Sequence, residues 1–198
     1  MLVKLKMSSG GAFLVLFVCF AVPLFAEDDA IAVYNRGVLE FQRRNLVDAM
    51  ADFNRAIELD PKNVDAYINR GSIKQANGDL DGAIADYNHA IELDPKDEDP
   101  YNCRGNAKCM KGDFEGGIAD YSIAIKLNPK KPNAFNNRGG AKACKGDLKG
   151  ALADFNRAIE LDPEYARAYQ TRGDVKKGQG DLRGAEADYT RARELEKQ

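Results

Sequence analysis

Arginine and aspartate recur along this chain on a fixed beat. Arg36, Arg70, Arg104, Arg138 and Arg172 stand 34 residues apart, and Asp52, Asp86, Asp120, Asp154 and Asp188 each follow 16 residues later. A guanidinium and a carboxylate form short, charge-assisted bidentate hydrogen bonds, so two types recurring together predict an ion-pair ladder within or between units. Exposed pairs contribute only about 0–1 kcal/mol each, so the ladder is expected to set register more than stability. A second recurrence is of carboxamides. Asn35, Asn69 and Asn137 share one slot, which Cys103 and Thr171 interrupt, and Asn102, Asn106, Asn133 and Asn136 lie nearby with Gln42, Gln75 and Gln170. A carboxamide both donates and accepts, so it can pair with a peptide backbone whatever the side chain. The competing reading is local capping or plain solvation. Asn, however, costs several tenths of a kcal/mol relative to Ala inside an exposed helix, and a cost repeated in register needs a reason.

Catalytic groups do not assemble in the same way. His89, the one histidine, has no nucleophile in a defined spacing, and carboxylates recur in every unit instead of forming one matched acid/base pair. The stretch Gly-Asp-Phe-Glu-Gly-Gly at 112–117 lacks the Gly-Lys-Ser/Thr ending of a phosphate loop. No Cys/His spacing suits zinc. The expectation is a non-enzyme without metal or cofactor. Cys103 and Cys109 are six residues apart on one predicted helix, about 9 Å along its axis at ~1.5 Å per residue. That exceeds the reach of a disulfide. Cys109 with Cys144 is the one intrachain pair open to consideration; the alternative is three small thiols filling packing gaps.

The ends and the charge restrict partners. Lys4 and Lys6 precede an uncharged run at 11–25, and Ala26 is followed by Glu27 and Asp28. This describes a secretory signal peptide at 1–26, hence an exported protein, periplasmic or secreted. The run is shorter than the roughly 20 residues of a membrane span; an uncleaved signal anchor, tethering the array to a membrane, is the alternative. Without Lys4 and Lys6 the basic count falls from 29 to 27 against 31 acidic residues, a net charge near −4. That argues against nucleic acid as partner. A Lys-rich middle (Lys108, Lys111, Lys126, Lys130, Lys131, Lys142, Lys145, Lys149) reads as a solvated face placed partly at helix C-termini, with a patch for an acidic partner as the other reading.

The elements that must position these groups come in copies. Pro61, Pro95, Pro129 and Pro163 close near-identical units, each with two apolar patterns at helical spacing around a turn. In the second unit the helices are expected at roughly 65–77 and 81–93, with Gly78 ending the first, Asp79 capping the second and Pro95 forcing the exit. Small residues recur where helices approach: Gly37, Gly71, Gly105, Gly139 and Gly173, then Ala49, Ala83, Gly117, Ala151 and Ala185. Two aromatic stripes are expected to fill the core: Tyr67, Tyr101, Phe135 and Tyr169 on first helices, Phe53, Tyr87, Tyr121, Phe155 and Tyr189 on second helices. In the last unit Glu186 and Arg193 replace the Ile/Leu of sister units, as an end unit requires, so five units are expected.

These recurring Gly, Ala, aromatic, Ala and Pro positions resemble the tetratricopeptide repeat family over five units, 30–63, 64–97, 98–131, 132–165 and 166–198. The resemblance implies an all-α, right-handed superhelical solenoid of helix-turn-helix repeats whose concave groove is lined mainly by first helices. The asparagine slot is similar to the asparagine ladder in the tetratricopeptide superhelix of O-linked N-acetylglucosamine transferase. The family's clamp for chaperone tails maps onto Asn102, Asn106, Asn137, Arg167 and Thr171, without the lysine at the first place or the basic residue at the last, so that partner is not expected. The expected function is an adaptor holding an extended segment of a partner protein or peptide. The alternative is a self-association or assembly-scaffold module using the outer helices.

Overall fold

The computed structural model describes residues 29–197, so the leader expected at 1–26 lies outside the described residues. Ten α helices follow one another, with no strand among the described residues. They pair unit by unit: α1 (Ala30–Gln42) with α2 (Leu46–Leu59), α3 (Val64–Ala76) with α4 (Leu80–Leu93), and α5 (Asp99–Met110) with α6 (Phe114–Leu127). The last two pairs are α7 (Pro132–Cys144) with α8 (Leu148–Leu161) and α9 (Ala166–Gly178) with α10 (Leu182–Leu195). Each second helix also packs on the next first helix, and α3, α5, α7 and α9 touch in a row. The result is an all-α superhelical array with contacts only between neighbours. No described helix is long and apolar enough to cross a membrane.

The turn chemistry explains each hairpin. At the end of α3, Gly78 N–H donates to Gln75 O at 3.1 Å and Asp79 N–H to Lys74 O at 2.9 Å, a closure that puts Gly78 at φ +84°. Asp79 then caps α4 by accepting from Gly82 N–H at 2.9 Å. Units three to five repeat this arrangement at Asp113, Asp147 and Asp181. The first unit makes the same closing bonds with Arg44 at φ +61°, without glycine's freedom from a Cβ clash.

The core alternates ring and gap. Phe53, Tyr87, Tyr121 and Phe155 are buried, each against the glycine of its own first helix. A Cβ on Gly37, Gly71, Gly105, Gly139 or Gly173 would stand 2.7 to 2.9 Å from a ring carbon. The first-helix stripe differs from expectation: Phe135 is buried, but Tyr67, Tyr101 and Tyr169 are only half-buried, at the rim of the core. The two ends also differ. Glu186 and Arg193 meet at 2.8 Å on the exposed face of α10. Leu39 on α1 is 51% exposed, although Ile73, Ala107, Ala141 and Val175 fill the same slot, buried, in later units.

The glycine contact gives a direct prediction. Gly71→Ala forces the Tyr87 ring out of place and should cost about 1–3 kcal/mol. Thermal or urea melting of the variant checks it, and an unchanged midpoint would contradict the close packing.

Candidate functional site

Arg70, Arg104, Arg138 and Arg172 each tie together three helices. Arg70 donates from Nε and Nη2 to the two carboxylate oxygens of Asp86 at 2.9 and 2.6 Å, within its own unit. Its Nη1 donates to Asn54 Oδ1 on the preceding second helix at 3.0 Å, and its guanidinium lies 5.4 Å from the Tyr67 ring centre. Arg104 repeats this with Asp120, Asn88 and Tyr101; Arg138 with Asp154, Ser122 and Phe135; Arg172 with Asp188, Asn156 and Tyr169. A lysine one turn on completes each buried carboxylate: Lys74, Lys108, Lys142 and Lys176 all reach their Asp at 2.7 to 2.8 Å. Arg36 pairs with Asp52 at 2.5 Å, but its side chain is 58% exposed, and Glu40 holds the lysine slot. The ladder thus joins helices within a unit, and its third bond ties units together. Sequence reasoning missed both the lysine and the third partner: the lysine recurs in four of five units and was a legible signal, whereas the Asn/Ser partner changes type between copies.

The carboxamides are arranged sideways as much as outward. Asn137 donates to Asn102 Oδ1 at 3.2 Å, Thr171 to Asn136 Oδ1 at 2.8 Å, and Asn69 to the Tyr34 hydroxyl at 3.1 Å. Each pair is 35 residues apart on neighbouring first helices. Asn106 accepts from the Tyr121 hydroxyl at 2.7 Å. Asn102 and Asn136 are buried, Asn35 is exposed on α1, and Asn133 carries a buried Oδ1 without a hydrogen-bond partner. Burial explains the sideways bonds, since a buried amide must be satisfied by what lies beside it.

An open depression of about 460 Å³ lies along α3, α5, α7 and α9. Its polar lining is Gln75, Asn106, Asn136, Asn137, Arg167 and Thr171; its softer lining includes Cys109, Met110, Phe114 and Cys144. It therefore gathers three of the seven predicted asparagines and leaves Asn35, Asn69, Asn102 and Asn133 elsewhere. His89 is exposed on α4, 5.4 Å from the Tyr67 ring and 3.6 Å from Glu92. No cluster of three or more His, Cys, Asp or Glu suited to a metal occurs among the described residues. Among the described residues, Cys103, Cys109 and Cys144 are free thiols, and burial pushes Cys103 up to about 11. Of the Lys-rich middle, Lys108, Lys111, Lys131, Lys142 and Lys145 are engaged with acidic side chains of this chain, so it is less a free basic face than sequence suggested.

Comparison with known proteins accords with this architecture. A family model described as TPR repeat matches residues 37–78, 72–112, 105–143 and 141–180. No curated protein sequence matches the chain. Among solved structures, a type IV pilus biogenesis factor, PilW, superposes with a TM-score of 0.79 at 20% identity, covering 85% of this chain and 78% of its own. MamA (41-end) from Desulfovibrio magneticus RS-1 gives 0.72 at 18%, covering 86% and 96%. YrrB, described as a TPR protein with an unusual peptide-binding site, gives 0.63 at 23%, covering 84% and 86%. At these identities the likeness is one of fold.

Two outcomes test the ladder. Asp86→Ala leaves a half-buried arginine and lysine without their carboxylate and should cost about 3 kcal/mol, whereas Asp52→Ala, beside an exposed arginine, should cost about 1 kcal/mol or less; denaturant melts of both compare them. Burial alone would raise the Asp188 carboxyl, but bonds from Arg172 and Lys176 outweigh it and hold it below its ordinary 3.8. Its contribution to stability is therefore present above that value and lost as pH falls through the lower folded-state value. Melting of wild type and Asp188→Asn against pH should show a gap that closes on acidification.

Proposed function

Because this chain belongs to the tetratricopeptide repeat family, whose fold serves protein–protein interaction, we propose that it is an exported adaptor holding an extended segment of a partner protein along its first-helix groove. The observation that carries the reading is the depression over α3, α5, α7 and α9, with amide, hydroxyl and guanidinium groups from four successive first helices lining one open trough. Asn137 donates to Asn102 and keeps its carbonyl oxygen as an acceptor for a peptide N–H, and Arg167 adds one cation for a carbonyl or carboxylate. The peptide-binding site in the description of YrrB, a protein of the same fold, supports this reading. Export rests on the basic start, apolar run and Ala26 of residues 1–26. Catalysis has no part in the proposal.

A second reading, association of arrays with one another, draws on the first unit. Ile31, Leu39 and Val47 are 67%, 51% and 80% exposed there, three large apolar side chains open to water in one unit.

The test uses affinity capture from the exported fraction with wild type and Asn137→Ala/Arg167→Ala. Losing two groove contacts should weaken capture about tenfold or more, while loss of the Asn137–Asn102 bond should cost about 1 kcal/mol of stability and leave the array folded, as melting checks. Equal capture by the double variant would overturn the groove reading. Concentration-dependent light scattering that is insensitive to the same substitutions would favour association instead. The mass of the exported form reports whether the chain begins at Glu27.

A further inference from the structure

We propose that Cys109 and Cys144 form a two-thiolate site on the groove floor for a soft monovalent cation such as copper(I). The first observation is a register rule. Side chains 35 residues apart meet across neighbouring first helices, at 3.1 Å for Asn69 and Tyr34, 3.2 Å for Asn137 and Asn102, and 2.8 Å for Thr171 and Asn136. Gln75 and Met110 obey it too, Nε2 to Sδ at 3.4 Å. Cys109 and Cys144 hold those same two slots one unit further on, on α5 and α7, and both line the depression. Cys144 is near enough to add to the upward push that burial gives the Cys109 thiol.

Reach then selects the occupant. Gln75 and Met110 meet through long side chains, whereas each cysteine ends one bond beyond Cβ. Both cysteines are free thiols facing one open depression, so a bridging ion can be reached by both sulfurs at once. Ligand number selects the metal. Structural zinc takes four ligands, and no third His, Cys, Asp or Glu completes a cluster here among the described residues. Thiolates favour soft copper(I), which accepts two. The Met110 thioether lines the same depression as a further soft donor.

The pocket for the Cys109 sulfur is built into the fold. Gly117 stands where sister units carry Ala49, Ala83, Ala151 and Ala185, and a Cβ there would run into Cys109 Sγ. The Tyr121 hydroxyl lies 3.7 Å from the same sulfur, a polar partner beside the ligand. Cys103, by contrast, is absent from the depression lining. The site concerns the metal alone and does not depend on what polypeptide the groove holds.

The test is an anaerobic copper(I) titration of the full reduced chain against a chromophoric copper(I) chelator. The expected result is one ion per chain, competing with the chelator. Cys109→Ser and Cys144→Ser should each lower affinity at least ~100-fold, because even an outer-shell partner accounts for 10–100-fold. The control Cys19→Ser/Cys103→Ser should bind as wild type, and melting of every variant verifies the fold. Cys144 is exposed, so its variant keeps the test meaningful if Cys109→Ser fails to fold. Failure to compete with the chelator, or full binding by Cys144→Ser, would overturn the proposal.

Discussion

The guanidinium of each first helix is the joint on which the array turns. Through Nε and Nη2 it fastens to the carboxylate of its own second helix, and from the second unit on its Nη1 fastens to the second helix before it. The bidentate geometry leaves little rotational freedom, so one side chain fixes both the pitch of the hairpin and the offset to the previous unit. The aromatic ring beneath adds a flat support, and the lysine one turn on neutralises what remains of the carboxylate. Burying such charges costs desolvation that the pairing roughly offsets. What they contribute is uniqueness of register. Apolar alanine and isoleucine surfaces alone would tolerate sliding.

Register is what the groove consists of. The 35-residue relation between neighbouring first helices places Asn102 beside Asn137 and Asn136 beside Thr171. A shift of one residue would turn a different face of each first helix to the trough. The glycines under Phe53, Tyr87, Tyr121 and Phe155 serve the same end from within the unit, because they set how near the first helix lies to the second. Polar groove and apolar core are therefore positioned by the same two kinds of contact.

Much of this was legible from residue types. The 34-residue beat, the Gly-Asp turns and the paired Arg and Asp each depend on a residue type that recurs without change. What varied between copies was harder to see. The third arginine partner is Asn54, Asn88, Ser122 or Asn156, so no single letter marks it. Tyr67, Tyr101 and Tyr169 carry the mark of core residues, yet their rings lie at the rim as platforms for arginine. The asparagines were identifiable as a set. Their sideways bonds were not, because these join side chains 35 positions apart, one more than the repeat itself. Arg44 gave no sign of a left-handed backbone, since glycine fills that place in all other units.

The Glu186–Arg193 contact on α10 gives the array a direction. Between internal units both sides of every junction carry matching partners, so a duplicated unit inserted there would find the surfaces it needs already in place. Joined beyond α10, the same copy would have to strip water from an acid and a base. Duplication of a unit is therefore easier between existing units than on the polar face of α10.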